Sequence, residues 1–237
     1  MKKILLICFA IVMLNGFDIT TENYPPYNYT DDKGKIVGIT TDIVREILKE
    51  IKNDSCIEMM PWARAYKDII NQPDKILFSM TRTPQREYMF KWVGPIAQNT
   101  WVFYARTNSK IKLHNLNDAK NPRYKIGTYM DDAIELYLKH KGFYNIYSVP
   151  NDNLNLKKLI RGRINLWATG EEQALFKIKS LGINSNKITK IFQIKKVPLY
   201  IAFSRTTPNS VINQWQNILD QMKEDGRYQK ILNKYLK

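Results

Sequence analysis

The chain predicts an α/β fold. Three observations lead there. Short apolar strands alternate with helical-period segments along its 237 residues. Two strand signals, Trp101–Ala105 (WVFYA) and Leu199–Phe203 (LYIAF), stand out, and after the first a second αβ series starts afresh. A hydrophobic content of 44% beside 25% charged residues is that of a globular protein with a core, and argues against disorder.

The elements follow in order. Phe17–Thr21 reads as a strand, ended by the turn-rich Tyr24-Pro25-Pro26-Tyr27. Thr41 can cap a helix whose apolar positions Val44, Ile47, Leu48 and Ile51 keep helical spacing. Cys56–Met59 is a short strand, and Pro61 opens a second helix, where its missing N–H costs nothing. Ile76–Ser79 is the next strand, followed by the aromatic strand FKWVGP and then WVFYA. In the second series Tyr124–Thr128 is a strand. Asp131 or Asp132 caps a helix to about His140, stopped by Gly142. Asn151–Asn153 cap another helix ending near Gly162, Ile164–Ala168 is an apolar strand, and Glu171–Ser180 a short helix. After LYIAF, Pro208 opens a long helix with Val211, Trp215, Ile218, Leu219 and Met222 on one face. Gly226 breaks it, and a last short helix carries Tyr228, Ile231, Leu232 and Tyr235. Pattern alone leaves one domain or two open.

The N-terminus, MKKILLICFAIVMLNG, places Lys2 and Lys3 before an apolar run from Ile4 to Leu14. That run is too short to span a bilayer and fits a secretory signal peptide over residues 1–16, hence a periplasmic or extracytoplasmic protein. The alternative, a buried first strand of a cytosolic protein, does not explain the two leading lysines. Cys56 would be alone in the mature chain, so no internal disulfide is expected, and a buried small apolar role suits it. The formal net charge of +15 invites a nucleic-acid reading. Yet the lysines are scattered singly, with no basic tract or finger motif, which describes a solvated basic surface. Such a surface steers anionic ligands and allows at most peripheral contact with a membrane. His114 and His140 lie far apart without metal-ligand spacing, and no nucleophile elbow, phosphate loop or dinucleotide fingerprint appears. No metal, no cofactor and no enzymatic activity are expected.

The most informative stretch is LFSMTRTPQREYMFKWVGP, Leu77–Pro95. It sets hydroxyls at Ser79 and Thr81, then Arg86, beyond an apolar strand. Open α/β sheets collect ligands outside strand carboxyl ends, and a guanidinium fork suits a carboxylate. The stretch resembles the S-x-S/T-x-T-x-x-R signature of type II periplasmic solute-binding proteins, in the amino-acid branch (family 3 type) that serves ABC transporters. TENYPPYNY, GKIVGITTDIVREILKEI, PWARAYKDI, GRINLW and NILDQMKEDGRYQKILNKYL appear in the family's order and cover nearly the whole mature chain. PWARAY with RTPQRE and FKWVGP is similar to one sub-branch.

The resemblance implies two α/β lobes joined by two hinge strands, WVFYA outbound and LYIAF on return, with the ligand cleft between them. Lobe 1 would hold residues 17–103 and 200–237, and lobe 2 residues 104–199. It also implies an extracytoplasmic monomer that captures a small carboxylate-bearing solute by lobe closure and delivers it to an ABC transporter permease. A ligand-sensing receptor component is the alternative, and a cleft-based dehydratase-type enzyme a more distant one. Arg86 would pair with the ligand carboxylate, with Ser79 and Thr81 beside it, and Tyr24 and Trp62 would enclose the ligand's apolar or cationic part. Arg82 is extra to the pattern and reads as a salt bridge or rim position. The second lobe departs from the family. Where a Gly-Thr or Gly-Ser pair usually opens a helix, this chain has Asp131-Asp132, and the ammonium-binding aspartate falls on Gly170 in WATGEE. Asp132, Thr169, Gly170 and Glu171 are the second-lobe candidates, with Asp132 or Glu171 able to replace the aspartate. An ordinary α-amino acid is then one option beside another acid or a partly cationic solute.

Overall fold

Two 17-residue strands run through the middle of the molecule, β6 (Phe90–Arg106) and β10 (Ile188–Ser204). The computed structural model describes residues 16–235, so the expected signal peptide lies, apart from Gly16, outside the described residues. β6 and β10 pair antiparallel from Ile188 opposite Arg106 to Ser204 opposite Phe90, with three register shifts on the way.

Each end of this ribbon carries its own αβ series. On the first side stand β1 (Asp18–Thr21), α1 (Ile39–Glu50), β4 (Ile57–Met59), α2 (Trp62–Asn71) and β5 (Lys75–Thr81), with a small hairpin of β2 (Tyr29–Thr30) and β3 (Ile36–Val37). On the second stand β7 (Ile126–Tyr129), α3 (Ala133–His140), β8 (Ile146–Val149), α4 (Asn153–Ile160), β9 (Leu166–Gly170) and α5 (Glu171–Ser180). The main sheet runs β4-β1-β5-β10-β6-β9-β7-β8. β5 pairs with Leu199–Phe203 of β10, and β9 with Trp101–Tyr104 of β6. After β10 the chain returns to the first lobe as α6 (Asn209–Glu224) and α7 (Arg227–Tyr235).

The hydrophobic pattern explains this arrangement. Along WVFYA, Trp101, Phe103 and Ala105 enter one core, with Ile126, Ile134 and Leu138. Val102 and Tyr104 enter another, with Leu156, Trp167 and Ile178. Successive strand residues face opposite sides, so a strand covered on both faces reads as an unbroken apolar run. The first lobe is built likewise. Val44, Ile47 and Leu48 of α1 and Trp215, Leu219 and Met222 of α6 share one core with Ile19, Phe78 and Phe203. Trp62, Ala65 and Ile69 of α2 cover the other face against Leu77 and Met80.

Some expectations change. FKWVGP and WVFYA are one strand, and LYIAF is the last part of β10. Cys56 is exposed, at the start of the edge strand β4. α1 begins at Ile39 with Gly38 as its N-cap, two residues before the expected cap Thr41. The reason lies in the first loop: Ile39 N–H and Thr40 N–H bond to the carbonyls of Pro26 and Tyr27, and the buried Thr40 hydroxyl also donates to Tyr27 O at 2.9 Å. Gly38 permits this close crossing. Its φ of 129° with ψ of 170° is a region essentially reserved for glycine, and a Cβ there would lie 2.3 Å from the Tyr27 carbonyl oxygen. Gly38→Ala is therefore expected to destabilise the protein by about 2–3 kcal/mol. Urea unfolding of the variant checks this, and an unchanged midpoint would refute it.

Candidate functional site

The ends of β1, β5 and β7, the starts of α2 and α3, and the first turn of α5 converge on one small cavity of ≈ 40 Å³ between the lobes. Six of the residues expected from sequence line it: Tyr24, Trp62, Ser79, Thr81, Arg86 and Asp132.

Arg86 follows β5 and is only 2% exposed. Its guanidinium lies against the stacked rings of Trp62 and Tyr66, 5.0 Å from each centroid. Nη1 donates to Thr81 O at 3.3 Å, while the buried Nε has no partner among the described residues. Burial lowers its pKa from the ordinary arginine value, but a guanidinium keeps its charge in proteins. A buried cation with free N–H groups facing a cavity is a receptor for an anion.

Ser79 has a left-handed backbone, φ 66°. Its hydroxyl turns away from the cavity, 2.7 Å from Thr40 Oγ1 and hydrogen-bonded to Asn28 Oδ1. Asn28 Nδ2 in turn bonds to Glu22 O. This buried net ties the first loop, the start of α1 and the end of β5 together. Ser79 thus positions the site with its hydroxyl and offers it only backbone. The Tyr24 hydroxyl accepts from Asn99 Nδ2, and the Trp62 Nε1–H reaches across to Asp131 O at 3.2 Å. Asp131, at φ 59°, is held by Glu135, whose Oε2 accepts from Asp131 N at 2.6 Å. Asp132 caps α3, its Oδ1 accepting from Glu135 N at 2.8 Å.

The other second-lobe candidates stand apart from the cavity lining. The Thr169 hydroxyl donates to Gln173 Oε1 at 3.1 Å, and Gly170 packs so tightly on Asn99 that a Cβ would fall 2.6 Å from Asn99 Oδ1. Glu171 points outward to Lys190 Nζ at 2.5 Å. Sequence reasoning missed Glu22, Trp101, Tyr129 and Gln173, which also line the cavity. Glu22 carried a signal, sitting two residues before Tyr24 in the matched TENYPPYNY stretch. Gln173 carried none, being one of three polar residues in the first turn of α5. Arg82 is where sequence placed it, in a fork with Glu87 at 2.7 and 2.5 Å.

Charge in the cavity is lopsided. Burial, and then the neighbouring Asp132, push the Glu22 carboxyl up to about 8, against the pull of Lys177 and Arg86. Burial pushes Asp132 up to about 7, opposed by its hydrogen bond from Glu135 N and aided by Asp152 and Glu135. Burial likewise raises the Tyr24 phenol. One guanidinium therefore faces two carboxyls that hold protons readily while the cleft is closed. The arrangement can grip an anionic group at Arg86 and a cationic one opposite it.

A cleft between two lobes strung on a pair of long crossing strands is that of a solute-binding protein with the type II periplasmic fold. The chain belongs to the bacterial extracellular solute-binding proteins, family 3, whose model matches residues 19–237. It is similar to the arginine-binding periplasmic protein of Mannheimia haemolytica, 24% identical over all of this chain and 99% of that protein. Among solved structures, a histidine kinase sensor domain with similarity to periplasmic binding proteins shares the fold at a TM-score of 0.84 and 16% identity, over 93% of this chain and 96% of that one. An ancestral arginine-binding protein bound to arginine does so at 0.81 and 21%, over 94% and 98%. Among the described residues no helix is long and apolar enough to cross a membrane.

The two raised carboxyls make stability depend on pH. Each ionises more readily in the unfolded chain than in the closed cleft, so their contribution is full below about pH 4 and is lost as pH rises through 7 to 8. The melting temperature of the protein without ligand is expected to fall between pH 5 and 8.5, and Glu22→Gln to flatten that fall. Thermal melts across this range decide, and equal slopes for parent and variant would overturn the assignment.

Proposed function

We propose that the protein captures a small carboxylate-bearing solute with a cationic group, an amino acid or a related compound, outside the cytoplasmic membrane. It then delivers the solute to an ABC transporter permease. The observation that carries this reading is the buried Arg86 guanidinium, with an unpartnered Nε, facing Glu22 and Asp132 across one cavity. The solute's carboxylate takes the Arg86 fork beside Thr81, its cationic part lies toward Glu22 and Asp132, and Tyr24 and Trp62 enclose it. The arginine-binding relatives support a cationic solute. The +15 charge of the whole chain would work against one, so selection rests on the local carboxyls.

Capture works by hinge closure, with residues 17–103 and 200–237 moving against 104–199. Contacts made between the lobes across the closed cleft set the response to ligand. Trp62 Nε1–H to Asp131 O is one, and the Tyr27 hydroxyl to Glu172 Oε2 at 3.3 Å another. A sensing role uses the same closure, and the likeness to a kinase sensor domain favours it as the second reading.

Arg86→Ala is expected to weaken every accepted solute by about a hundredfold or more, roughly 3 kcal/mol, because it leaves a buried carboxylate unpaired. Glu22→Gln and Asp132→Asn should instead weaken cationic solutes selectively, by roughly 1.5–3 kcal/mol. Glu171→Gln, held outside the cavity by Lys190, should change nothing. Calorimetric titration with arginine, lysine, histidine and simple carboxylates tests all four, alongside the compaction on binding seen by small-angle scattering. Parent-like affinity in Arg86→Ala, or no compaction on tight binding, would sink the reading.

A further inference from the structure

The 40 Å³ cavity adjoins a second one of ≈ 480 Å³, also lined from both lobes. The two share Glu22, Trp62, Tyr129 and Gln173, so Glu22 stands at the junction. Arg86 lines only the inner chamber, and Lys177 only the outer one. The inner space is about that of a single water, whereas the outer lies in the range of small-ligand sites.

The outer chamber has its own buried charge. Lys177 is 8% exposed and Asp152 6%, with Lys177 Nζ 2.6 Å from Asp152 Oδ2. Asp152 is saturated, since its Oδ1 accepts from Trp167 Nε1 and Asn155 Nδ2, both at 2.9 Å. Lys177 is not. An ammonium has three N–H groups, and only the one to Asp152 finds a partner among the described residues. Gln173 has its Oε1 engaged by Thr169, which leaves its amide N–H groups. Tyr29 and Phe176, rings 4.9 Å apart across the lobes, form an apolar wall beside them. From the inside outward the site therefore presents donors at Arg86, acceptors at Glu22 and Asp132, and donors again at Lys177 and Gln173.

We propose that this two-chamber site takes a solute longer than a free α-amino acid: an amine flanked by two acceptor ends, of about dipeptide length. One carboxylate sits on Arg86, the ammonium against Glu22, and the second carboxylate or carbonyl on the free N–H groups of Lys177 and Gln173. This rests on the proposed capture of a carboxylate at Arg86 and adds the far end of the ligand. A buried ammonium that binds only Asp152 would be a structural ion pair, and nothing would then depend on solute length.

L-glutamyl-L-alanine carries these groups in this order, and L-alanyl-L-alanine lacks the far carboxylate. Calorimetry on the mature protein is expected to show glutamylalanine binding at least tenfold tighter than alanylalanine, free alanine or free arginine. Lys177→Met should erase the preference over alanylalanine. Because that variant strands Asp152, Ser180→Trp provides a second route, filling the exposed vestibule rim while leaving the ion pair intact. It should weaken glutamylalanine tenfold or more and keep arginine and alanine within twofold. Arginine binding as tightly as glutamylalanine, or Ser180→Trp leaving glutamylalanine unchanged, would overturn the two-chamber site. Parent-like affinity in Arg86→Ala would instead remove the carboxylate grip on which it rests.

Discussion

The antiparallel pairing of β6 with β10 is the constraint on which the rest depends. Neither strand belongs to one lobe. One end of the ribbon feeds the parallel strands β5, β1 and β4, and the other feeds β9, β7 and β8. Trp101–Ala105 of β6 and Leu199–Phe203 of β10 are covered on both faces and apolar, while the second-lobe part of β10 carries exposed lysines. Between them, around Gln98–Thr100 of β6 and Lys195–Pro198 of β10, polar residues enter the pairing, and register shifts flank this region. The ladder holds the lobes in register without merging their cores. A cleft can therefore form beside the ribbon, lined by loops from both sides, and each lobe keeps its own hydrophobic interior.

What fills the cleft is decided by burial of charge. Arg86 is buried against the Trp62 and Tyr66 rings with its Nε unpartnered among the described residues, so its free N–H groups call for an acceptor in the cavity. Glu22 and Asp132 are half-buried, and no cation other than Arg86 lines their cavity among the described residues. They answer by holding protons. A solute bringing its own positive charge would release those protons, and one bringing only a carboxylate would leave the carboxyls neutral. Selectivity and pH dependence thus have a common origin in two acids crowded against one guanidinium.

Legibility in the sequence followed locality. The faces of α1 and α6 were readable because Val44, Ile47 and Leu48, and Trp215, Leu219 and Met222, repeat at helical spacing. WVFYA and LYIAF were readable because both faces are buried. The full length of β6 was hidden by Gly94-Pro95, a pair that reads as a chain break though it lies within the strand. The first part of β10 was hidden for another reason. Residues 188–198 pair with β6 alone, and Lys190, Lys195 and Lys196 punctuate this edge as lysines commonly do. The first-lobe cavity residues sit close together in sequence, within the TENYPPY and SMTRTPQR stretches and at Trp62. Apart from Tyr129 at the end of β7, the polar second-lobe ones come from the first turns of two helices, where a polar residue that caps and one that faces a ligand look alike. Asp132 does the first and borders the cavity too, Gln173 borders it, and Glu171 does neither.

The motifs PWARAY, RTPQRE and FKWVGP gain a physical meaning from this geometry. Only Trp62 and Arg86 of them reach the cavity. The others continue outward from it as one row of rings, the first pair stacked and the rest edge-to-face: Trp62 on Tyr66 at 5.2 Å, Tyr66 with Phe90 at 5.8 Å, Phe90 with Trp92 at 5.6 Å and Trp92 with Tyr200 at 6.0 Å. Arg86 lies over the first two rings, and Arg82 over Trp92 and Tyr200. Gly94 completes the row, since a Cβ there would meet the Tyr200 ring at 2.6 Å. Residues from three separate segments thus interlock, each guanidinium lying against a pair of neighbouring rings. This packing fixes the Arg86 guanidinium in the cavity wall opposite Glu22 and Asp132, with its Nε unpartnered among the described residues.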